Sequence, residues 1–257
     1  MLEWRDEGML ISVRGHGESA AIIEVFTAAH GLHAGVVPGG GSRRLAPTLQ
    51  PGAQLQVTWR ARLDEHIGSY AVEPVRARSG ILADRMGLLG LNAVCALIRL
   101  ALPEREPHAD LYAATADLMD AFDRGGTDRG GTDRGGTDRG GADWARDYLA
   151  WELLLLEQTG YGLDLSACAV TGATEGLAYV SPKTGRAVSR AGAGQWADRL
   201  LPLPGCLCDR LGDPGGLADG FATTGFFLEG RLAADRGEGA LPEARRRLVA
   251  ALTARRG

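Results

Sequence analysis

Met9-Leu-Ile-Ser-Val13, Ala20-Ala-Ile-Ile-Glu-Val-Phe-Thr27 and Leu32-His-Ala-Gly-Val-Val37 follow one another, with Gly15-His-Gly17 and His30-Gly31 between them. Each run is short, apolar or alternating, and bounded by glycine. That combination predicts strands rather than helices. Two further runs, Leu55–Ala61 and Tyr70–Val75, come after Pro38–Ser42 and Gln50-Pro-Gly52, with His66-Ile-Gly-Ser69 separating them. Five short strands with Gly/Pro punctuation in the first 79 residues predict a small barrel or sandwich.

From Gly80 the period becomes helical. Ile81 to Leu102 has apolar residues at three- and four-residue spacing and stops before Pro103, which predicts one core helix. A second helix is expected over Ala109–Phe122. Asp-Arg-Gly-Gly-Thr then repeats from Asp123 to Ala142, four copies with the last Thr replaced. Glycine at this density cannot bury a core, so residues 123–142 are expected to form a disordered loop. An Arg-Gly-Gly nucleic-acid tail is the alternative, weakened by the interleaved Asp. Asp143 suits an N-cap for a helix over Trp144–Thr159, with Trp144, Tyr148, Trp151 and Leu155 on one face and Gly160 and Gly162 ending it. A helical segment is expected from Gly216 to Leu232. A last helix starts at Pro242, a favoured first-turn position, and carries Arg245, Arg246 and Arg247.

The chain has 257 residues and a formal net charge of −4. Nucleic-acid binders are often basic overall, so a DNA site here must be a local patch. Residues 1–79 carry eight basic and eight acidic side chains, and residues 80–122 three and six; the acidic excess lies outside the strand-rich part. Of the 28 basic residues all but Lys183 are Arg, the side chain that meets phosphate with two parallel donors. The cysteines Cys95, Cys168, Cys206 and Cys208 show no disulfide framework, which fits a reducing cytoplasm. No signal peptide is visible, and Gly87–Leu102, interrupted by Asn92 and Arg99, falls short of a membrane span.

Pro38-Gly-Gly-Gly-Ser-Arg43-Arg44 is the strongest candidate for binding chemistry. Glycines permit close backbone approach to a phosphate, and adjacent Arg supply charge; a flexible hairpin kept soluble by Arg is the alternative. Arg60 and Arg62 alternate with Trp59, which puts both on one strand face and Trp59 on the other. They suit a backbone-tracking groove or an ordinary solvated face, and Arg14 is a weaker member of the set. His16, His30, His33, His66 and His108 make no metal or general-base motif and are expected at turns or the surface. No Gly-x-Ser-x-Gly elbow and no phosphate-binding Gly-rich Lys loop occur, so no catalytic residue is assigned and no enzyme activity is expected. Between Asp164 and Gly192, a zinc hairpin would need Cys-x-x-Cys twice. Cys168 alone survives, with Thr171, Ser189 and Gly192 at the other three spacings, so no zinc and no other cofactor is expected.

Several motifs occur in one order: Trp4-Arg-Asp-Glu-Gly8, Phe26-Thr-Ala-Ala-His-Gly-Leu32, Pro38-Gly-Gly-Gly-Ser-Arg-Arg44, Trp151-Glu-Leu-Leu-Leu-Leu-Glu157, Gly160-Tyr-Gly-Leu-Asp164, Cys168-Ala-Val-Thr-Gly172 and Tyr179-Val-Ser-Pro-Lys-Thr-Gly185. In this combination the whole chain resembles the RecO family of recombination mediators. The resemblance implies an α+β protein: a five-stranded OB-fold barrel over residues 1–79, then a mainly helical domain over 80–257 containing a degenerate zinc-finger-like hairpin at 164–192. It implies binding of single- and double-stranded DNA, annealing of strands coated by single-strand-binding protein, and action with RecR in loading RecA, with RecF a further candidate partner. It also implies a bacterial, cytoplasmic, nucleoid-associated, non-enzymatic and non-membrane protein. In the family the helical domain takes the acidic C-terminal tail of single-strand-binding protein, for which Arg99, Arg105 and Arg231 are candidate cations. A generic OB-fold RNA-binding module is the chief rival, and a hydrolase with a convergent site the second.

Overall fold

The computed structural model describes residues 2–63, 65–127, 144–207 and 216–254. Strands β1 (Leu2–His16), β2 (Ala20–Thr27), β3 (Gly31–Val37), β4 (Gln54–Ala61) and β5 (Ser69–Arg76) close a barrel in the order β1-β2-β3-β5-β4. All neighbours are antiparallel except β3 and β5, which meet in parallel at Val36 and Ser69. β1 reaches well before the run that predicts it. Its first half pairs with β4, from Leu2 opposite Ala61 to Met9 opposite Gln54, and its second half pairs with β2, from Gly8 opposite Thr27 to His16 opposite Ala20. Gly8 belongs to both ladders, and a Cβ there would lie 2.4 Å from Val25 Cγ1. Just beyond it the register slips between Leu10 and Ser12. The extra residue, buried Ile11, is a bulge that bends the strand around the barrel. Charged Glu3, Arg5, Asp6 and Glu7 conceal this first half from a search for apolar alternation.

Leu10, Ile23, Val25, Leu55, Val57, Trp59 and Tyr70 fill the barrel. Each large apolar side chain buried this way contributes roughly 1.5–3 kcal/mol.

The helix expected over Ile81–Leu102 is two helices, α1 (Ser79–Ala83) and α2 (Arg85–Ala101). Asp84 between them is extended (φ −115°, ψ 124°) and its carboxylate accepts the Gly87 N–H at 2.8 Å. Apolar periodicity runs through such a break because an N-cap changes the backbone and not the pattern. α3 (Ala109–Thr127) continues through the first Asp-Arg-Gly-Gly-Thr copy instead of stopping at Phe122. Asp123 is held within it: its Oδ1 accepts the Gly80 N–H at 2.8 Å, and its Oδ2 lies 3.5 Å from Arg76. The remaining copies, residues 128–142, lie outside the described residues.

Arg78, just before α1, fastens α3 to the barrel. Its guanidinium is buried and donates to Gly52 O at 2.9 Å, Gln54 Oε1 at 3.1 Å and Asp120 Oδ1 at 2.7 Å. The boundary expected at residue 79–80 marks where strands give way to helices. By packing, the chain divides later, into Met1–Gly136 and Thr137–Gly257, so α1–α3 share the unit of the barrel.

The second unit contains α4 (Trp144–Gln158), a three-stranded sheet in the order β7-β6-β8 formed by β6 (Leu177–Val180), β7 (Ala187–Ser189) and β8 (Leu201–Pro202), α5 (Arg190–Ala193), α6 (Leu217–Phe227) running on into a π-helical turn at Leu228–Ala233, and α7 (Glu243–Ala254). α4 buries Trp144, Tyr148, Trp151 and Leu155, as its period predicts. It ends at Gly160 (φ 86°), with the Tyr161 N–H donating to Leu156 O at 2.8 Å, a Schellman closure. No helix among the described residues is long and apolar enough to cross a membrane.

Candidate nucleic-acid interface

One end of the barrel gathers every predicted binding residue. Antiparallel pairing brings the β1–β2 turn beside the end of β3, because Ala21 pairs with Val37. The rung Arg60–Ser69–Val36 crosses β4, β5 and β3 at the same end. Residues 38–49 leave from there. The Gly41 N–H donates to Ser19 O at 2.9 Å, the Gly40 N–H to Val37 O at 3.1 Å, and Leu49 is buried. The loop is therefore anchored. A Cβ on Gly40 would lie 2.8 Å from that of Ala21, and one on Gly41 3.2 Å from Ser19 O. These two glycines let the loop pack closely against the start of β2.

Arg14, Arg43, Arg44 and Arg62 are all exposed at this end. Among the described residues none of the four makes an ion pair. Several other arginines of the unit are engaged, Arg5 with Glu73 at 3.4 Å, Arg76 with Asp120 at 2.7 Å, and Arg99 with Glu24 at 2.6 Å, whereas Arg85 at the start of α2 is exposed and makes no ion pair among the described residues. Arg60 is exposed but held by Glu3, from Nε at 2.8 Å and a terminal nitrogen at 3.3 Å. The Arg60 hydrogen bond keeps the Glu3 carboxyl below its ordinary pKa. Arg62 lies one residue past the end of β4, so the predicted strand alternation reaches Arg60 only. Trp59 is 1% exposed and donates to Ile67 O at 3.0 Å; it belongs to the core and cannot stack a base. Beside Arg60 a half-open cleft runs between the loop and strands β4 and β5. Neither Glu3 nor this cleft is legible in the sequence, since both depend on strand register.

The histidines divide. His16 and His66 are exposed, as expected, but His33 and His108 are buried. His30 stacks on Trp4 at 4.0 Å and His33 meets Trp59 edge-on at 4.8 Å. They are part of an aromatic cluster, which local spacing does not announce. Among the described residues no group of three His, Cys, Asp or Glu side chains could hold a metal ion.

In the second unit the four positions with zinc-ligand spacing converge. Cys168 Sγ accepts from the Ser189 N–H at 3.2 Å, the Ser189 hydroxyl at 3.3 Å and the Thr171 N–H at 3.4 Å. A Cβ on Gly192 would point to within 3.0 Å of the same sulfur. Burial alone would raise the Cys168 pKa, but the hydrogen bonds from Ser189 and Thr171 outweigh it and bring it down to about 6. A single thiolate with two hydroxyls and a glycine does not fit a structural zinc, which takes four thiolate or imidazole ligands.

The cations considered for an acidic tail are all occupied. Arg99 pairs with Glu24, and Arg105 donates to His66 O at 2.9 Å. Arg231 donates to the carbonyls of Pro182 and Lys183 at 3.1 and 2.5 Å and lies over the Phe227 ring. Of the Arg245–Arg247 triplet, Arg245 is buried against Glu152, and Arg246 and Arg247 pair with Glu243.

Two family models match the chain. Residues 1–78 match the family model described as recombination protein O N terminal, and residues 138–238 match recombination protein O C terminal. A DNA repair protein RecO of Cereibacter sphaeroides is 57% identical over 253 residues, covering 97% of this chain and 98% of that protein. One from a Ruegeria species is 53% identical, covering 99% and 100%, and one from Dinoroseobacter shibae is 49% identical, covering 98% and 99%.

Proposed function

The chain belongs to the RecO family of DNA repair proteins, and on that premise we propose that it acts as a recombination mediator through the loop end of its barrel. It binds single- and double-stranded DNA there, anneals complementary strands coated by single-strand-binding protein, and works with RecR, and with RecF as a further partner, in loading RecA. The acidic tail of single-strand-binding protein binds the helical part, where Arg99, Arg105 or Arg231 must exchange its present partner for the tail. The site of action is the bacterial cytoplasm, at the nucleoid. The observation that carries this reading is the gathering of Arg14, Arg43, Arg44 and Arg62, without carboxylate partners among the described residues, on one anchored end of a barrel that is charge-balanced as a whole.

Annealing makes and breaks no covalent bond, so no catalytic group is needed. It requires neutralising two phosphate backbones as they approach, which Arg does well. The test is annealing of complementary oligonucleotides, bare and coated by single-strand-binding protein, with RNA as competitor. Acceleration on coated strands supports the reading. Tighter binding to RNA and no effect of the coat would favour a generic RNA-binding module.

A further inference from the structure

The cleft beside Arg60 offers more than a phosphate can use. Its volume is ≈ 330 Å³, the lower end of the range for small-molecule clefts, roughly 300–1,000 Å³. Pro38 and Leu45 from the loop and Val72 from β5 make apolar walls over the buried Val37 and Tyr70, Thr58 and Ser69 contribute hydroxyls, and Arg60 stands beside them. A phosphate gains nothing from apolar walls, because only apolar surface is favourably removed from water. The walls suit a flat, partly apolar body with polar edges, joined to an anion. A nucleotide with its base unstacked has that chemistry.

We propose that this cleft is a nucleobase subsite: it takes one unstacked base of single-stranded DNA while the adjoining phosphate meets Arg60. The proposal rests on the reading that the barrel binds DNA. Thr58 and Ser69 hydroxyls each donate and accept, so the edge of any base can be met and the subsite is tolerant of sequence. A base paired and stacked in a duplex cannot enter without first being extruded. The cleft therefore supplies a preference for single strands, which phosphate binding alone does not supply.

Full-length protein is titrated with an oligothymidylate and with an abasic oligodeoxynucleotide of the same length and charge. The base-bearing strand should bind about tenfold tighter, the equivalent of about 1.4 kcal/mol. Ala71 lines the cleft and is exposed, so Ala71→Leu fills the space without entering the core. This variant should lose the preference for bases and keep the affinity for the abasic strand. Arg43→Ala/Arg44→Ala should weaken both strands equally. Equal binding of the two strands by the unmodified protein overturns the subsite while leaving DNA binding intact. Retention of the preference in a folded Ala71→Leu variant also overturns it. Binding of neither strand removes the DNA reading and the subsite together.

Discussion

Glu3 and Arg60 face each other across β1 and β4, and the guanidinium donates to both carboxylate oxygens, at 2.8 and 3.3 Å. The pair sits beside the cleft at the cationic end of the barrel, so a phosphate reaching Arg60 must displace Glu3. Exposed pairs of this kind add little to stability. Glu3→Gln should leave the melting temperature nearly unchanged. It should strengthen single-strand binding by a few fold and steepen the log–log salt slope by about 0.7, the value for one more neutralised phosphate. Titrations at several salt concentrations check both, and an unchanged slope would remove Arg60 from the interface.

Arg43 and Arg44 are exposed on a loop whose anchors are Gly40, Gly41 and Leu49. Their joint replacement by Ala should therefore leave the barrel folded. Single-strand affinity should fall, and the salt slope should flatten by about 0.7 for each phosphate no longer neutralised. The effect should be similar for unrelated sequences, since binding to phosphate carries no base information. A folded double variant with unaltered affinity and slope would move the interface to Arg14 and Arg62.

Cys168 lies at the centre of four positions with zinc-ligand spacing, three of which are not ligands here. Elemental analysis of the purified chain should find no stoichiometric zinc. Thr171→Cys/Ser189→Cys/Gly192→Cys together should acquire one zinc per chain. Unaided, the hairpin depends on hydrogen bonds to the sulfur, which favour the thiolate and hold the Cys168 pKa at about 6. The stabilisation this gives is complete above the unfolded thiol value of about 8.5 and is lost as pH falls through about 6. The margin in melting temperature of the unmodified chain over Cys168→Ala should shrink accordingly toward lower pH. A constant margin would mean that the thiol is neutral in the fold.

Removing residues 128–137, two whole repeat copies, should change stability little, because loop closure costs only about 0.6 kcal/mol per doubling of length. Extending the deletion back to Asp123 should cost considerably more, since that carboxylate holds the Gly80 N–H and faces Arg76. Equal melting temperatures for the two deletions would contradict the role given to Asp123.

The barrel is legible because its strands alternate apolar and polar residues between glycine turns, and the cationic loop because Arg43 and Arg44 stand next to glycines. What escapes depends on partners distant in sequence. Charged residues hide the first half of β1 from periodicity, yet its pairing with β4 places Glu3 on Arg60. Asp84 interrupts a helix without disturbing its apolar spacing. Asp123 reads as the start of a repeat until Gly80 is seen to donate to it. The cleft needs β3, β4, β5 and the loop at once, and no window of sequence contains them all.

Arg245 shows the same effect in reverse, since a basic triplet on a helix reads as a surface feature. Its first member is 5% exposed and donates to both oxygens of fully buried Glu152, at 2.8 and 2.9 Å, with Thr224 donating to the same carboxylate at 2.6 Å. Glu152 hides just as well, two turns into the apolar face of α4. Removing one partner of such a pair leaves a buried charge uncompensated and costs about 3–5 kcal/mol, whereas an apolar pair of similar volume is often neutral. Arg245→Met should therefore destabilise the protein strongly in chemical denaturation, as should Glu152→Met. The double variant should recover much of the stability, a coupling that a double-mutant cycle measures directly. Arg246→Ala and Arg247→Ala, whose side chains are exposed beside Glu243, should change stability little. Additive effects in the Glu152/Arg245 cycle would show that the two side chains do not act as one buried pair.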